Sequence, residues 1–321
     1  MTLLEFDDVS ITYQSRQGPV PAVRNVSLNV EQGQTLGIAG ESGCGKTTLT
    51  SSVLRLLPKS AQVTGQIRLD GEDIMAMSFG QLRAARWAKA AVVFQGAMHA
   101  LNPVQRLETQ LAEPILLHSD VGTGTAKKRV GELLEQVGLP AGRARAYPHQ
   151  LSGGQKQRVM IAMALACKPK LLIADEPTTA LDVMVQAQVL DLLSSLVAEL
   201  GLGVVFISHD LSVLAANCDR VAVMYAGRIV EKGSAEDVFT RPLHPYAKAL
   251  AAAFPRIGDT KFRYAPAGVP GDPPFPGDLP SGCPFHPRCP TAADECTTSE
   301  PELRDYGGRD AACHRVQEVS A

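Results

Sequence analysis

The 321-residue sequence has no surplus of charge of one sign. Its 31 Lys and Arg stand against 33 Asp and Glu, for a formal net charge of −2. That disfavours a strongly basic nucleic-acid binder, and no nucleic-acid partner is expected. A long hydrophobic run is also missing. The longest, Val159–Cys167, is nine residues, whereas a membrane-spanning helix needs about 18–20, so the chain is not expected to cross a bilayer alone. The opening residues, Met1 to Asp8, lack the basic region and apolar stretch of a secretory signal, which points to a cytoplasmic chain. No repeat with a period of about 20–50 residues is visible. What is there has the balance of a folded globular protein, 45% hydrophobic and 20% charged, and this excludes disorder throughout. The length fits one large domain with a smaller one.

Prolines divide the chain. Eleven of the 22 fall within residues 255–321, where long regular elements are not expected. A boundary is placed near Phe254-Pro255, giving a domain over 1–254 and an extension over 255–321. Before the boundary, strand and helix patterns alternate. Leu3–Tyr13 and Ala22–Val30 read as antiparallel strands, and Thr35–Ala39 as a short buried strand. A helix is expected from Lys46 to about Leu56, stopped by Pro58. Ala91–Phe94 is a further strand. Val104–Leu117 and Ala126–Val137 are helix candidates within a helical region over about 100–165. Leu171–Ala174 and Val204–Ile207 read as central parallel strands. Helices over Gly153–Ala166, Val183–Leu200 and Leu211–Ala216 complete the alternation of a parallel α/β sheet.

Three segments carry chemistry. Gly40-Glu41-Ser42-Gly43-Cys44-Gly45-Lys46-Thr47, followed by Thr48, fits G-x-x-x-x-G-K-[ST] between a predicted strand and a predicted helix. Its glycines let backbone N–H groups curl around phosphate, and the helix N-terminus adds positive character. Lys46 would neutralise the β/γ-phosphates of ATP, and Thr47 would hold Mg²⁺. Leu171–Ala174 ends in Asp175 and Glu176; the first suits a Mg²⁺ shell, the second a general base on an attacking water. Leu151-Ser152-Gly153-Gly154-Gln155 opens a helix, with Ser152 as its N-cap and the N–H groups of Gly153 and Gly154 able to bind an anion.

In this order, and with a later His209, these segments resemble the ATP-binding subunits of ABC transporters over residues 1–254. The resemblance implies a P-loop NTPase of ABC type: an α/β fold with an antiparallel β subdomain and a helical subdomain, plus a small irregular Cys-rich C-terminal module. It implies an ATPase in which Tyr13 stacks on adenine. Gln95 senses Mg²⁺ and water, Asp182 couples two ATP sites, and His209 reaches the γ-phosphate. The plainer readings are a strand aromatic for Tyr13, a turn residue for Gln95, an N-cap for Asp182 and a strand-end polar residue for His209. It further implies a head-to-tail pair in which the Leu151–Gln155 signature of one subunit closes over the P-loop of the other. Cys44 stands where a small Ser is frequent; a thiol there is read as inert, with alkylation sensitivity as the alternative.

A narrower resemblance covers nearly the whole chain. Gln95-Gly-Ala-Met-His99-Ala-Leu-Asn102-Pro103, Tyr147-Pro-His-Gln150 and Arg241-Pro-Leu-His244-Pro245-Tyr246-Ala247 are similar to the ATPase subunits of the oligopeptide/dipeptide/nickel permease family. This implies a peripheral protein on the cytoplasmic face of the bacterial inner membrane that powers di- or oligopeptide import. Its partners would be a second ATPase subunit (a copy or a paralogue), two integral-membrane permease subunits and, indirectly, an extracytoplasmic binding protein. Nickel, glutathione or another solute is the alternative cargo, and a soluble non-transport ABC ATPase the remote alternative. Of seven cysteines, Cys44, Cys167 and Cys218 are scattered. Cys283, Cys289, Cys296 and Cys313 cluster, which in a reducing cytoplasm reads as a metal site rather than a disulfide framework. Four thiolates can hold zinc or an iron–sulfur cluster, with His286 and His314 as substitute ligands. The family resemblance favours a [4Fe-4S] cluster over Zn²⁺ and over free or sporadically oxidised cysteines.

Overall fold

Thr35–Ala39 is apolar and β-branched at its start, and it forms a fully regular strand that delivers the chain into the Gly-rich loop. It is the third of twelve strands in the computed structural model, which describes residues 1–16, 18–94, 96, 100–178, 181–253 and 268–316. Along the chain run β1 (Thr2–Ser15), β2 (Gly18–Glu31), β3 (Thr35–Ala39), α1 (Lys46–Ser52), β4 (Ala61–Leu69), β5 (Glu72–Asp73), α2 (Phe79–Ala88) and β6 (Ala90–Val93). Then come α3 (Leu107–His118), α4 (Thr123–Gln136), α5 (Gly153–Ala164), β7 (Leu171–Asp175), α6 (Val183–Leu200), β8 (Gly203–Ser208) and α7 (Leu211–Asn217). The last elements are β9 (Arg220–Tyr225), β10 (Arg228–Ser234), α8 (Ala235–Thr240), α9 (Pro245–Ala253), α10 (Asp294–Thr298), β11 (Arg304–Asp305) and β12 (Asp310–Ala311). Gln95, His99 and the Phe254-Pro255 boundary lie outside the described residues.

The chain forms two compact units. The first comprises Met1–Leu4, Val30–Gln34 and Leu69–Val205. In it, β6 and β7 pair in parallel, Ala90 opposite Leu171 through Val93 opposite Ala174. Helices α3, α4 and α5 pack on one another. Helix α4 shows why: Ala126, Val130, Leu133 and Leu134 are buried at the spacing of one helical face. Among the described residues, α6 alone is long and apolar enough by length and composition to cross a membrane. Gln186, Gln188, Asp191, Ser194, Ser195 and Glu199 interrupt it, however, and its buried stripe is Val189, Leu190, Leu193 and Leu196.

The second unit comprises Glu5–Asn29, Thr35–Arg68 and Phe206–Ala321. Here β2, β1 and β4 lie side by side. Only residues 16 and 17 separate β1 from β2, which fits an antiparallel pair. A second set of strands runs β11-β12-β10-β9-β3. β3 and β9 are parallel, Leu36 opposite Arg220 through Ala39 opposite Val223. β9 returns as β10 through a two-residue turn at Ala226 and Gly227, both with positive φ, the geometry that matches strand twist in tight hairpins. β12 then pairs with β10, Glu231 opposite Ala311.

One expectation changes. Helix α1 stops at Ser52 rather than near Leu56, because the Val53 N–H closes a tighter turn on Thr50 and Arg55 is left-handed. The C-terminal segment contributes β11 and β12 to the strand set that ends on β3. Its Phe285 joins Tyr225 and Tyr246, the largest fully buried side chains, at ring separations of 5.3 Å. Glu231, fully buried, accepts from the Leu243 and His244 N–H groups and from Arg309 at 3.1 Å. Glu300 binds both Arg24 and Arg228.

His244 is buried in the same cluster, and its Nδ1 accepts the Tyr246 N–H. Burial lowers its pKa to about 3, opposed by a hydrogen bond to the Ala312 backbone. Below pH 6.5 the unfolded chain takes up a proton that the folded chain refuses, so stability falls as the pH drops. Denaturant unfolding at pH 7.5 and 5.5 should show wild type losing about 1.3 kcal/mol more than His244→Gln. Equal losses would count against a neutral buried imidazole.

Candidate nucleotide site

The Gly-rich loop joins β3 to α1, and two of its glycines leave no room for a side chain. Gly45 has φ 107°, and a Cβ there would lie 2.2 Å from the Ala22 carbonyl oxygen. Gly40 has φ 153°, with a Cβ 2.3 Å from the Met224 oxygen. Lys46 starts α1 and faces inward with Leu49 and Thr50. It is 5% exposed, and its ammonium donates to the carbonyls of Gly40 (2.7 Å) and Glu41 (2.9 Å), with the Cys44 sulfur at 3.6 Å. Among the described residues no carboxylate forms a salt bridge with Lys46. A buried cation with only neutral partners is an unbalanced charge, and an arriving anion balances it.

The other sequence-predicted residues of this unit are Tyr13, Ser42, Gly43, Cys44, Thr47, Thr48 and His209. Thr47 is exposed at the first turn of α1. Tyr13 is half-buried, and its hydroxyl lies 3.1 Å from the Thr48 hydroxyl, which ties the ring to α1. Ser42 and Gly43 are exposed. Cys44 is buried, and burial pushes its thiol up, opposed by Lys46. The thiolate is the reactive form, so the inert reading of Cys44 fits better than alkylation sensitivity. His209 is exposed at the end of β8, in a turn closed by the Asp210 N–H on the Ser208 hydroxyl.

The remaining residues belong to the first unit. Asp175 ends β7 and is 3% exposed. Glu176 follows, half-buried, with φ 44°. A left-handed glutamate carries strain of about 1–3 kcal/mol, which sites of chemistry often hold. Ser152 caps α5 as predicted. Its hydroxyl accepts from the Gln155 N–H, and the Gln155 side chain accepts from the Ser152 N–H. Gly154 has a packing reason as well, since a Cβ there would lie 2.5 Å from Val185 Cγ1 on α6. Leu151 is buried. Asp182 is exposed and caps α6 through the Val185 N–H.

The four clustered cysteines are free thiols. The Cys283 N–H donates to the Cys296 carbonyl at 2.8 Å. Burial, with Cys296, Cys313 and Cys289 close by, pushes the Cys283 thiol up to about 11. His286 Nδ1 lies 3.0 Å from the Cys283 carbonyl, and His314 Nε2 lies 3.0 Å from the Ser299 carbonyl, so each turns one ring nitrogen to the main chain. Among the described residues no three His, Cys, Asp or Glu side chains converge as a set for one metal ion.

Sequence reasoning missed Arg288, Tyr246 and Glu231 as structural partners of this region. Tyr246 stood within a recognised motif, but the motif did not reveal that its hydroxyl accepts the Glu41 N–H at 2.9 Å.

Comparison with known proteins places these observations. The family model described as "ABC transporter" matches residues 23–179, and "Oligopeptide/dipeptide transporter, C-terminal region" matches residues 230–296. The Oligopeptide transport ATP-binding protein OppD of Escherichia coli is 42% identical over 98% of this chain and 94% of its own length. OppD of Mycobacterium tuberculosis is 45% identical over 99% of this chain, which spans 52% of that relative, about half its length. The solved dimeric post-hydrolysis state of the ATP-binding cassette MJ0796, bound to ADP and Pi, superposes with a TM-score of 0.65 at 29% identity. It covers 73% of this chain and 99% of that one.

Lys46→Ala should abolish ATP binding and leave the fold. Titration with a fluorescent ATP analogue should show no saturation, while the circular dichroism spectrum stays that of wild type. Normal affinity in the variant would remove Lys46 from the phosphate site.

Proposed function

Because the chain belongs to the ATP-binding subunits of ABC transporters, of the oligopeptide/dipeptide type, we propose that it hydrolyses ATP to drive peptide import. The observation that carries this reading is the buried Lys46 ammonium, held by main-chain oxygens in a glycine-built loop. It meets the γ-phosphate as a counter-charge.

The proposed division of labour follows the chemistry of each side chain. The Thr47 hydroxyl and the Asp175 carboxylate are hard oxygen donors of the kind Mg²⁺ takes, and the ion would neutralise charge on the transferred phosphoryl group. Glu176 accepts a proton from the attacking water, and inorganic phosphate and ADP leave. His209 senses the γ-phosphate, Tyr13 holds adenine, and Gln95, Ser152 and Asp182 report nucleotide state across a pair of ATPase subunits. The MJ0796 cassette is dimeric in its solved form, which supports a paired arrangement here, with a copy or a paralogue. In this reading residues 1–254 carry ATP turnover and 255–321 the family extension. Two permease subunits anchor the pair at the cytoplasmic face of the inner membrane, and a binding protein supplies peptide from the other side.

The four C-terminal thiols are proposed to hold a [4Fe-4S] cluster. Zinc needs its donors within about 2.3 Å of one point. A cubane takes one thiolate at each of four separate irons, and Cys283, Cys289, Cys296 and Cys313 are near enough for charge on one to affect another. Bound there, the cluster would staple a proline-rich segment with little core of its own.

In proteoliposomes carrying the chain with its permease subunits, a peptide-loaded binding protein should stimulate ATP hydrolysis. Glu176→Gln should lower that turnover by roughly 10²–10⁴-fold while ATP still binds. Turnover stimulated by nickel or glutathione but not by peptide would redirect the cargo, and unchanged turnover in the variant would remove Glu176 as the base. Separately, anaerobically purified protein should be brown, with broad absorbance near 400 nm and about four irons per chain. Colourless protein with one zinc would reject the cluster.

A further inference from the structure

Arg288 lies in the Cys-rich segment, yet its guanidinium reaches the nucleotide loop. Its side chain is 6% exposed. Nη1 donates to Glu41 Oε2 at 2.7 Å and Nη2 to Glu41 Oε1 at 2.9 Å, a two-point clamp on the first variable residue of the P-loop. The remaining donors are also used. Nε binds the Pro270 carbonyl at 2.6 Å, Nη2 the Gly271 carbonyl at 2.9 Å, and Nη1 the Tyr225 hydroxyl at 3.2 Å. The rings of Tyr225 and Phe285 lie about 6 Å from the guanidinium carbon.

Glu41 concentrates these contacts. Its N–H donates to Tyr246, its carboxylate takes the Arg288 clamp, and its carbonyl accepts the Lys46 ammonium. A displacement of Glu41 therefore displaces an oxygen that aims Lys46. The carboxylate also brings negative charge to a loop built for phosphate, where it would repel nucleotide if left bare. Arg288 cancels that charge and fixes the carbonyl through one side chain. The guanidinium suits this task because its planar fork matches a carboxylate at two points.

We propose that Arg288 is a positioning residue of the ATP site: it neutralises Glu41 and holds the Glu41 carbonyl that aims Lys46, making residues 269–288 a working part of nucleotide binding. This rests on the nucleotide-binding reading above, and the two fail differently. If the wild-type chain does not bind ATP, that reading falls; if it binds and Arg288 does not matter, only the present one falls.

The test is a cycle of Arg288→Ala, Glu41→Gln and the double variant in the full chain, with ATP and ADP affinities measured by calorimetry alongside thermal melts and steady-state kinetics. Arg288→Ala should weaken both nucleotides by about tenfold or more, through the bare carboxylate. KM should rise more than kcat falls, since ground-state binding is affected first. Arg288→Lys should lie between, keeping the charge and losing the fork. The double variant should bind at least about threefold more tightly than Arg288→Ala alone, because its Glu41→Gln change removes the charge that Arg288 compensates. A purely structural role would lower the melting temperature without that recovery. Should Arg288→Ala not fold, Arg288→Lys and the double variant decide. Wild-type affinity in Arg288→Lys together with no recovery in the double variant would overturn the proposal, as would an Arg288→Ala chain that binds both nucleotides like wild type.

Discussion

An ammonium group sealed among main-chain carbonyls organises the nucleotide-binding side of this protein. Lys46 is 5% exposed and binds the oxygens of Gly40 and Glu41. Carbonyl dipoles solvate a cation without cancelling it, so the loop retains a positive field for an anion. That field depends on where two carbonyls point. β3 holds Gly40 by its parallel register with β9, and Gly40 approaches Met224 too closely for any side chain. Tyr246 and Arg288 hold Glu41. The site is therefore shaped from behind, by residues that need not touch nucleotide.

The proline-rich end of the chain has short elements and few core residues, and buried or half-buried charge pairs tie it to the strands and the P-loop. Arg309 meets Glu231, Glu300 meets Arg24 and Arg228, and Arg288 meets Glu41. In each pair one partner belongs to β2, β10 or the P-loop and the other to residues 288–309. Pairs of this kind contribute little net stability, because desolvation offsets attraction, yet losing one partner is costly. They act on an aromatic bed of Tyr225, Tyr246 and Phe285, which supplies the apolar burial.

In the unit that carries the signature, residues proposed for the ATP site hold local folding roles. Ser152 and Gln155 cap α5 reciprocally, Asp182 caps α6, and Gly154 lets α6 approach through Val185. Glu176 leaves β7 in a left-handed conformation, which turns the chain immediately after buried Asp175. A substitution at any of these positions therefore alters backbone geometry together with chemistry. This is why the Glu176→Gln change, which keeps shape, separates the two better than a truncation.

Much of this was readable from neighbouring residues. The P-loop, the Ser152 cap and the Asp182 cap depend on contacts within a few positions, and α6 over Val183–Leu200 follows from one amphipathic run between a cap and Gly201. Helix α1 was read too long because the left-handed turn at Arg55 has no side-chain signature. Arg288 carried no reading of its own, and Tyr246 and His244 stood only as members of a motif. Their roles come from partners 247, 205 and 13 positions away: Glu41 for the first two and Glu231 for the third. Spacing along a chain encodes periodicity and capping, which are local. Which carboxylate meets which guanidinium is settled when β9, β10 and β12 pair and bring residues 288–311 against the P-loop strand set, because charge pairing depends on distance in space and carries no mark in sequence order.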